Sequence, residues 1–371
     1  MSRTPENKDT EADNSCQVAG TVLAVQANYY KVRLDAPLTR PGTRSCSTLL
    51  CTRRSRLKKM GLAVRAGDRV LVEEPDWEGE RGAIGWVFPR QTELDRPPVA
   101  NANHILLVFA LVDPMADPNQ ISRFLIKAES AGLEVSISLN KSDLASFEER
   151  QYWQERLRTW GYDPIFISVQ TGFGVDILSS RLQNRITVIS GPSGVGKSSL
   201  INLLIPTLQL RVGEVSGKLG RGRHTTRHVE LFDLPGGGLL ADTPGFDRPE
   251  LDCSPLALAH CFPEARYKLT NLSCQFSDCL HRDEPNCAVR GDWERYELYL
   301  QLLEEAIARE DTLRQQAVAE TNQKLKTKRS GKREYEPKLE TKKYRRISRR
   351  RQHQNLMDFH EDLHEEDSGE A

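Results

Sequence analysis

The most informative segment of this 371-residue sequence reads Arg185-Ile-Thr-Val-Ile-Ser-Gly-Pro-Ser-Gly-Val-Gly-Lys-Ser-Ser199. A β-branched apolar run leads into a glycine-rich turn, and a helix-like run follows at residues 199–208. The turn fits the pattern G-x-x-x-x-G-K-[ST] at Gly191, Gly196, Lys197 and Ser198. A strand before this pattern and a helix after it are the setting that it requires, so we predict a phosphate-binding loop here.

Each residue type in this turn has a physical role in binding a polyphosphate. Glycines let the backbone approach an anion closely, and N–H groups at the start of a helix converge on it. Lys197 is expected to bridge the β- and γ-phosphates, which also makes it a candidate catalytic residue, and Ser198 is expected to hold Mg²⁺. The predicted nucleotide contacts in the loop are Gly191, Pro192, Ser193, Gly194, Val195, Gly196, Lys197, Ser198 and Ser199.

A second motif, Asn140-Lys-Ser-Asp143, follows an apolar run at residues 135–139. Open α/β sheets bind ligands at the carboxyl ends of their strands, so this position suits a binding loop. The pattern N-K-x-D indicates guanine recognition: the Asp143 carboxylate accepts from the ring N1–H and the exocyclic amine, and adenine offers no such pair of donors. Asn140 is expected to brace the loop and the stem of Lys141 to lie over the base. The predicted base contacts are Asn140, Lys141, Ser142 and Asp143, with backbone N–H groups of Ser168, Val169 and Gln170 at guanine O6.

Two segments after the phosphate loop carry further magnesium and phosphate contacts. Asp242-Thr-Pro-Gly245 fits D-x-x-G, in which the Asp holds Mg²⁺ through water and the Gly N–H senses the γ-phosphate. The basic segment 220–227 offers a threonine hydroxyl. The expected magnesium ligands are Ser198, Asp242 and Thr226, with Thr225 as the alternative to Thr226.

A third cluster, Cys274-x₄-Cys279-x-His281-x₅-Cys287, offers three thiolates and an imidazole. Eight cysteines in a chain of this length do not form a disulfide framework, so clustered spacing favours a metal. A Cys₃His set closes a tetrahedron and leaves no open position, which predicts one structural Zn²⁺ that supplies folding energy to a loop poor in apolar residues. The alternative is four unligated side chains. His260 and Cys261 are assigned to the core or to a helix.

Charge is balanced overall but uneven along the chain. The 52 Lys and Arg residues match 52 Asp and Glu residues, yet Lys324–Arg351 holds fourteen basic residues against three Glu, with Tyr335 and Tyr344 between them. Such a run favours RNA phosphates over the alternative of a solvated segment. No apolar run approaches the eighteen residues that a membrane span needs, and the polar start lacks a signal-peptide core. We expect a soluble cytoplasmic protein that does not bind membranes.

The remaining patterns define the domains. Five short strand-like runs between residues 20 and 88, separated by Gly or Pro turns, predict an all-β barrel of the oligonucleotide-binding (OB) kind. A basic loop at 53–59, together with Tyr29 and Tyr30, is expected to bind RNA; the alternative is a solvated turn beside core aromatic residues. Cys46 and Cys51 are expected to pack as small apolar residues.

Strands alternate with helices at 120–131 and 146–160, which indicates a doubly wound parallel sheet covered on both faces. The expected boundaries are 1–15 disordered, 16–92 barrel, 93–103 linker, 104–250 nucleotide domain, 251–326 zinc-binding helical domain with an amphipathic helix at 292–326, and 327–371 a basic then acidic disordered tail.

The order of the motifs is reversed relative to an ordinary GTPase, because the base-reading loops precede the phosphate loop. Termini of compact domains often lie close together, so a chain can be reconnected and cut elsewhere without disturbing its sheet. In this order, residues 18–326 resemble the circularly permuted GTPases, and most closely the ribosome-small-subunit-dependent GTPase A family. The resemblance implies an N-terminal OB barrel, a permuted P-loop GTPase domain and a C-terminal zinc domain. It also implies GTP hydrolysis stimulated by the small ribosomal subunit, with binding to its rRNA. We expect a monomer.

One departure concerns hydrolysis. Phe246 follows Gly245 where many GTPases place a water-orienting Gln, and an apolar side chain cannot orient water. We therefore expect slow intrinsic hydrolysis, with His224 as the candidate catalytic residue; the alternative is a His that merely faces phosphate or solvent. Two other functions are considered: a GTP-gated RNA-binding protein in which hydrolysis is incidental, and a signalling GTPase with a protein partner.

Overall fold

The computed structural model describes residues 17–38, 46–95, 98–208, 229–242, 251, 253–321, 323–327 and 333–337. The chain forms two compact units, 1–306 and 307–371. The strands are β1 Val18–Gln26, β2 Tyr29–Leu38, β3 Cys46–Arg53, β4 Arg69–Asp76, β5 Arg81–Val87, β6 Glu93–Asp95, β7 Pro98–Ala100, β8 His104–Ala110, β9 Glu134–Asn140, β10 Ile165–Phe166, β11 Ile186–Ser190, β12 Glu230–Asp233, β13 Leu239–Asp242, β14 Gln323–Thr327 and β15 Arg333–Pro337. The helices are α1 Ser55–Lys59, α2 Pro118–Ser130, α3 Phe147–Thr159, α4 Val175–Leu182, α5 Lys197–Leu204, α6 Pro263–Asn271 and α7 Tyr296–Thr321, with a 3₁₀ turn at Leu258–Cys261.

Strands β1 to β5 form the predicted five-stranded barrel. They pair in the order β1-β2-β3-β5-β4, and β4 returns to pair with β1. Alternate residues of each strand fill the interior, including Val22, Val32, Leu49 and Ile84, all fully buried. This closed arrangement is the OB-type barrel predicted from the sequence. Cys46 and Cys51 belong to its core, as expected.

Residues 53–59 correct one prediction, because most of the expected basic loop is the short helix α1. Leu57 is 1% exposed and packs into the barrel core, which fixes the helix against the barrel. Its basic residues lie in the last turn, where they interact favourably with the helix dipole. The two tyrosines also differ from each other: Tyr30 is buried in the core, whereas Tyr29 is 53% exposed.

The segment 93–103 is not a simple linker, which corrects a second prediction. Strands β6 and β7 pair antiparallel as a small hairpin. Leu94, Val99 and Ala102 from this segment are buried in the same core as the nucleotide domain. The barrel residues Leu23 and Ala66 also enter that core. The barrel therefore packs directly against the nucleotide domain.

The nucleotide domain is built on a sheet of order β10-β9-β8-β11-β13-β12. Strands β8, β9, β10, β11 and β13 are parallel, but β12 is antiparallel to β13, so the sheet is mixed rather than wholly parallel as predicted. The turn at residues 234–238 is the reason, because a connection this short can join only antiparallel neighbours. Helices α2 and α3 cover one face and α4 and α5 the other, as expected for a doubly wound sheet.

Helix boundaries in this domain follow local chemistry. Asp117 accepts from two backbone N–H groups at the start of α2, and Ser146 with Glu149 forms a capping box at the start of α3. Helix α5 ends at Leu204 rather than at the predicted residue 208, because Pro206 disfavours helix in the residues before it. Helix α4 was not predicted from the sequence; its eight residues bury only Leu178 and Leu182, which is a weak periodic signal.

The C-terminal part contains the predicted amphipathic helix with corrected bounds. Helix α7 covers residues 296–321 instead of 292–326. Its buried face consists of Leu298, Tyr299, Leu302, Leu303 and Ala306. Strands β14 and β15 then pair antiparallel, so the predictions of helix to residue 326 and of disorder from residue 327 are wrong at these strands. Their register sets Lys324 opposite Glu336 and Lys326 opposite Glu334. Within the part of the chain that the structure describes, no helix is both long and apolar enough to cross a bilayer.

Candidate nucleotide and metal sites

The phosphate loop lies between β11 and α5, as predicted. Gly191 has φ of 145°, and a Cβ at this position would lie 2.0 Å from the carbonyl oxygen of Val108, so only glycine fits. Lys197 is 7% exposed, and its Nζ donates to the carbonyl oxygens of Gly191 (2.6 Å) and Pro192 (2.8 Å). The lysine thus holds the two ends of the loop together. Ser193 and Gly194 are exposed at its tip.

The side chain of Asn140 joins the base-reading loop to the phosphate loop. It is 2% exposed; Nδ2 donates to the carbonyl oxygen of Val195 (2.8 Å), and Oδ1 accepts from the N–H of Val169 (3.2 Å). A Cβ on Gly196 would lie 2.5 Å from Asn140 Nδ2, so a glycine is also needed for this contact. Three loops that are distant in sequence therefore meet at a single carboxamide. The bracing role predicted for Asn140 is the geometry observed.

Lys141 and Asp143 lie at the same edge of the sheet. Asp143 is exposed, and the buried Ser142 anchors the turn by donating its N–H to the carbonyl oxygen of Ile167 (3.1 Å). Lys141 adopts a left-handed φ of 58°, and its Nζ donates to the carbonyl oxygen of Asp113 and lies 3.6 Å from Asp113 Oδ2. Such left-handed non-glycine residues concentrate at functional sites.

Asp113 was missed by the sequence analysis. It follows β8, the strand next to β9, so the rule that ligands bind at carboxyl ends of strands could have identified it. Pro114, the next residue, lies 3.7 Å from where a Cβ on Gly194 would stand. The loop after β8 therefore contacts the base-reading lysine and lies beside the phosphate loop.

The loop after β10 differs from expectation in its hydrogen bonding. The N–H of Ser168 donates to the carbonyl oxygen of Phe173 (3.0 Å), and the N–H of Val169 donates to Asn140. Two of the three N–H groups expected at guanine O6 are thus engaged within the protein. The third, the N–H of Gln170, has no acceptor among the described residues.

Only some of the residues predicted to bind Mg²⁺ or to take part in catalysis lie within the described part of the chain. Ser198 is half-buried near the start of α5. Asp242 is the last residue of β13 and pairs with Ile189 of β11, so its backbone lies beside the start of the phosphate loop. The other predicted contacts, His224, Thr225, Thr226 and Gly245, lie outside the described residues, as does Phe246.

A buried histidine lies at the opposite end of these strands. His104 is fully buried at the start of β8, with Nδ1 3.0 Å from Thr187 Oγ1 and Nε2 2.8 Å from Ser136 Oγ. Burial, reinforced by the positive charge of Arg185, lowers the pKa of His104 to about 4. These two contacts join β8 to β11 and β9 at the end of the strands away from the phosphate loop.

The four predicted metal ligands come together. One ligand atom from each of Cys274, Cys279, His281 and Cys287 lies within 4.8 Å of the others. Nδ1 of His281 faces the sulfur atoms at 3.5, 3.4 and 3.3 Å. Burial lowers the pKa of His281, which favours the neutral imidazole that ligates metals. Burial also raises the pKa of Cys279, and a bound cation would favour its thiolate form.

The surroundings of the cluster hold its backbone in place. Tyr299 OH donates to the carbonyl oxygen of Leu280 (2.6 Å), and Tyr296 OH donates to that of His281 (2.9 Å). The Glu284 carboxylate accepts the N–H groups of Leu280 (2.7 Å) and Arg282 (2.8 Å). Backbone N–H groups also lie 3.4 Å from Cys274 Sγ and 3.3 Å from Cys287 Sγ. Outer partners of this kind orient metal ligands, so the donor set and its surroundings both fit a tetrahedral ion.

Comparison with known proteins identifies the family. A family model described as RsgA GTPase matches residues 87–252. The small ribosomal subunit biogenesis GTPase RsgA of Trichormus variabilis is 62% identical over 361 residues, which cover 93% of this chain and 98% of that protein. The chain belongs to the RsgA GTPase family. A second relative, RsgA 1 of Nostoc sp., is 61% identical over 361 residues, covering 93% of this chain and 98% of its own length.

Solved structures of similar proteins agree with membership of the RsgA family. The crystal structure of YjeQ from Thermotoga maritima matches with a TM-score of 0.65 and 31% identity, covering 78% of this chain and 99% of that one. The crystal structure of YloQ, a circularly permuted GTPase, matches with a TM-score of 0.64 and 28% identity, covering 82% and 99%. The permuted GTPase fold with a barrel and a Cys/His module is therefore confirmed. As a member of this family the chain is a GTP hydrolase.

The Cys₃His cluster and the helices α6 and α7 beside it are called the metal module below. In this RsgA-family chain the metal module is fixed to the nucleotide domain. Arg295 is 3% exposed; its Nε donates to Glu264 Oε1 (2.8 Å) and a second bond reaches the same carboxylate. Its guanidinium lies 4.7 Å from the ring centre of Trp160 and 5.0 Å from that of Phe262. Trp160 Nε1 in turn donates to Glu294 (2.6 Å). Because Trp160 caps α3 and Phe262 precedes α6, this cluster joins the nucleotide domain to the metal module.

A second contact ties α7 to α2. Arg123 donates to both carboxylate oxygens of Glu305, at 3.0 and 2.6 Å. Gly161 also lies so close to α6 that a Cβ there would be 2.8 Å from Pro263 Cβ. The metal module therefore contacts the two helices that follow the Asp113 loop and the base-reading loop along the chain.

Proposed function

We propose that this chain is a guanine-specific, magnesium-dependent GTPase that acts in biogenesis of the small ribosomal subunit and binds its rRNA in the cytoplasm. The observation that carries the proposal is the Asn140 carboxamide, which joins the base-reading and phosphate loops into one pocket. The relatives that cover most of this chain are named small ribosomal subunit biogenesis GTPases. Their names favour a hydrolase over a GTP-gated RNA-binding protein.

In the proposed pocket the base and the phosphates are bound at opposite ends. The exposed Asp143 carboxylate accepts from guanine, and Asp113 fixes Lys141, whose stem lies over the base plane. The N–H groups of the loop and of the first turn of α5 bind the phosphates, and Lys197 exchanges its carbonyl partners for phosphate oxygens. Base specificity thus rests on Asp143 and phosphate affinity on Lys197.

Hydrolysis needs groups that neutralise charge and position water. Ser198, Asp242 and Thr226, or Thr225 in its place, would hold Mg²⁺, which neutralises charge on the β- and γ-phosphates. Gly245 would sense the γ-phosphate. His224 is the proposed catalytic residue because Phe246 cannot orient water.

The Cys₃His cluster is proposed to hold one structural Zn²⁺. Three sulfur atoms and a nitrogen in a closed set leave no position for a substrate, so the ion would stabilise the loop rather than react. Its binding free energy would fold residues 274–287, which have few buried apolar side chains.

RNA contacts are proposed on the barrel and in the basic segment 324–351. Arg56, Lys58 and Lys59 of α1 are exposed, and Tyr29 offers an exposed ring on which a base can stack. We propose that the protein works as a monomer on the subunit. A salt-dependent RNA affinity that falls when 324–351 are deleted would exclude a signalling GTPase without RNA.

The test is GTP turnover with and without purified small ribosomal subunits. We expect strong stimulation by subunits, loss of nucleotide binding and turnover in Lys197→Ala, and loss of stimulated turnover with retained nucleotide binding in His224→Ala. Turnover that subunits leave unchanged would contradict the proposed function. Normal stimulated turnover in His224→Ala would remove that residue from the mechanism alone.

A further inference from the structure

The barrel and the nucleotide domain share one continuous sheet at β12. Glu230 is the partner of Ala24 in β1 on one side and of Asp242 in β13 on the other. Ala24 is itself the partner of Lys31 in β2. Because neighbouring strands lie about 4.8 Å apart, the backbones of these residues form one row that runs from the second strand of the barrel to Asp242, the residue proposed to hold Mg²⁺.

Two ion pairs reinforce this junction. Lys31 Nζ lies 3.6 Å from Glu230 Oε1, and Arg33 contacts Asp233 directly. Ala24 lies between Lys31 and Glu230, and its small side chain leaves room for the two long ones to meet above it. All four charged side chains remain 36–51% exposed, so another anion can reach the two cations. Both acidic residues belong to β12, the strand that follows segment 209–228 in the sequence.

The outer face of β2 and β3 has the composition of a single-strand RNA surface. Tyr29, Lys31 and Arg33 alternate with the buried Tyr30, Val32 and Leu34. Leu50 of β3 is the partner of Lys31 and is 48% exposed. In OB barrels the face of strands 2 and 3 binds oligonucleotides, with cations on phosphates and aromatic rings against bases. Glu230 and Asp233 thus form ion pairs with the cations that RNA phosphates would contact.

We propose that Glu230 and Asp233 compete with RNA phosphates for Lys31 and Arg33, so that RNA binding on the barrel breaks these two ion pairs and is coupled to nucleotide state. This inference rests on the proposed function, in which RNA binds the barrel. If the bound nucleotide changes the strength of these two ion pairs, it changes RNA affinity. Because coupling between two binding sites is reciprocal, bound RNA then changes nucleotide affinity by the same factor. The route for this coupling is the backbone pairing of Glu230 with Asp242.

The test compares RNA binding by the double variant E230Q/D233N with that of the unchanged chain. Anisotropy of a labelled single-stranded oligoribonucleotide of about twelve nucleotides, within the usual site size of an OB barrel, measures affinity with GDP and with a non-hydrolysable GTP analogue. Exposed ion pairs contribute little each, so we expect RNA affinity to rise about three- to tenfold. We also expect the affinity difference between the two nucleotide states to shrink to nearly nothing.

Asp35→Asn is the matched control. Asp35 pairs with Arg69 at 2.5 Å with similar exposure, 41% and 47%, but both residues belong to the barrel. This variant also frees one cation, yet it should leave the nucleotide dependence of RNA affinity intact. An equal loss of nucleotide dependence in Asp35→Asn, or unchanged RNA affinity in E230Q/D233N, would overturn the inference. So would equal RNA affinity of the unchanged chain in both nucleotide states.

Turnover with small subunits separates this inference from the proposed function. If subunits stimulate hydrolysis but E230Q/D233N binds RNA as the unchanged chain does, only the competition is wrong. If subunits neither bind nor stimulate, the proposed function fails first.

Discussion

The carboxamide of Asn140 holds the nucleotide site together. It is buried, and it makes one hydrogen bond to the phosphate loop and one to the loop after β10. Sequence patterns identify this residue as part of N-K-x-D, but they do not reveal that Gly196 must lack a Cβ to admit it. That requirement depends on a tertiary distance.

Replacing Asn140 by Ala should both destabilise the protein and weaken GDP binding. A buried N–H and a carbonyl lose their partners, which costs about 1–3 kcal/mol of unfolding free energy. Denaturant unfolding and GDP titration measure the two effects. Asn271→Ala, at an exposed site on α6, is the control and should change stability by less than about 0.5 kcal/mol. GDP affinity that is unchanged in Asn140→Ala would contradict the bridging role.

His104 predicts a pH dependence of stability. Its folded pKa is about 4, below the ordinary value of 6.5, so the unfolded chain binds a proton first as pH falls. The contribution of His104 to the free energy of unfolding is therefore fully present above about pH 6.5. It declines toward pH 4 by up to about 3 kcal/mol. His104→Asn should remove this decline, whereas His260→Asn, at an exposed site, should retain it. Urea unfolding at several pH values measures both, and the same slope in all three proteins would refute the assignment.

Strands and helices differ in how well the sequence predicts them. The barrel strands, β8 and the phosphate loop were predicted because apolar periodicity and glycine placement are local signals. Helix α1 and the β6–β7 hairpin were not, since each depends on a few apolar residues, such as Leu57 and Val99, finding a distant core. The antiparallel β12 follows from the short turn at residues 234–238, which the prediction of a parallel sheet did not take into account.

The tyrosines of α7 should support metal binding. Tyr299 is fully buried and its hydroxyl donates to the loop carbonyl next to His281. Removing that hydroxyl in Tyr299→Phe should weaken metal affinity about 10–100-fold, as loss of an outer partner does elsewhere. Competition with a chromogenic chelator measures the affinity, and chelation should also lower the melting temperature. Tyr267→Phe, at a ring that is 74% exposed, is the control and should change neither. Unchanged metal release in Tyr299→Phe would contradict this support.

Within residues 1–306, the large parts of the molecule are joined by different chemistry. The barrel meets β12 through exposed ion pairs and adds Leu23 and Ala66 to the nucleotide-domain core, whereas the metal module meets α3 through the buried Arg295, Trp160 and Phe262. Buried charged contacts resist rearrangement more than exposed ones. We infer that the metal module follows the base-reading side of the nucleotide domain closely, and that at the barrel junction only the exposed ion pairs rearrange readily.

Breaking the buried junction should therefore be costly. Arg295→Ala leaves the carboxylate of Glu264, only 12% exposed, without its cation, which should lower the free energy of unfolding by about 3–5 kcal/mol. Arg158→Ala removes the exposed pair with Asp163 and should cost less than about 1 kcal/mol. Chemical denaturation measures both variants. Similar small losses would show that the junction contributes little.

Calorimetric titration of GDP and ADP, into the unchanged chain and into Asp143→Asn, tests the central claim that the Asn140–Asp143 turn and the Gly191–Ser198 loop bind one guanine nucleotide. We expect GDP to bind at least about 10⁴-fold tighter than ADP, because adenine lacks the pair of donors that the Asp143 carboxylate accepts from guanine. We expect this preference largely to disappear in Asp143→Asn. Equal affinity for GDP and ADP, or a preference that Asp143→Asn leaves intact, would contradict the claim.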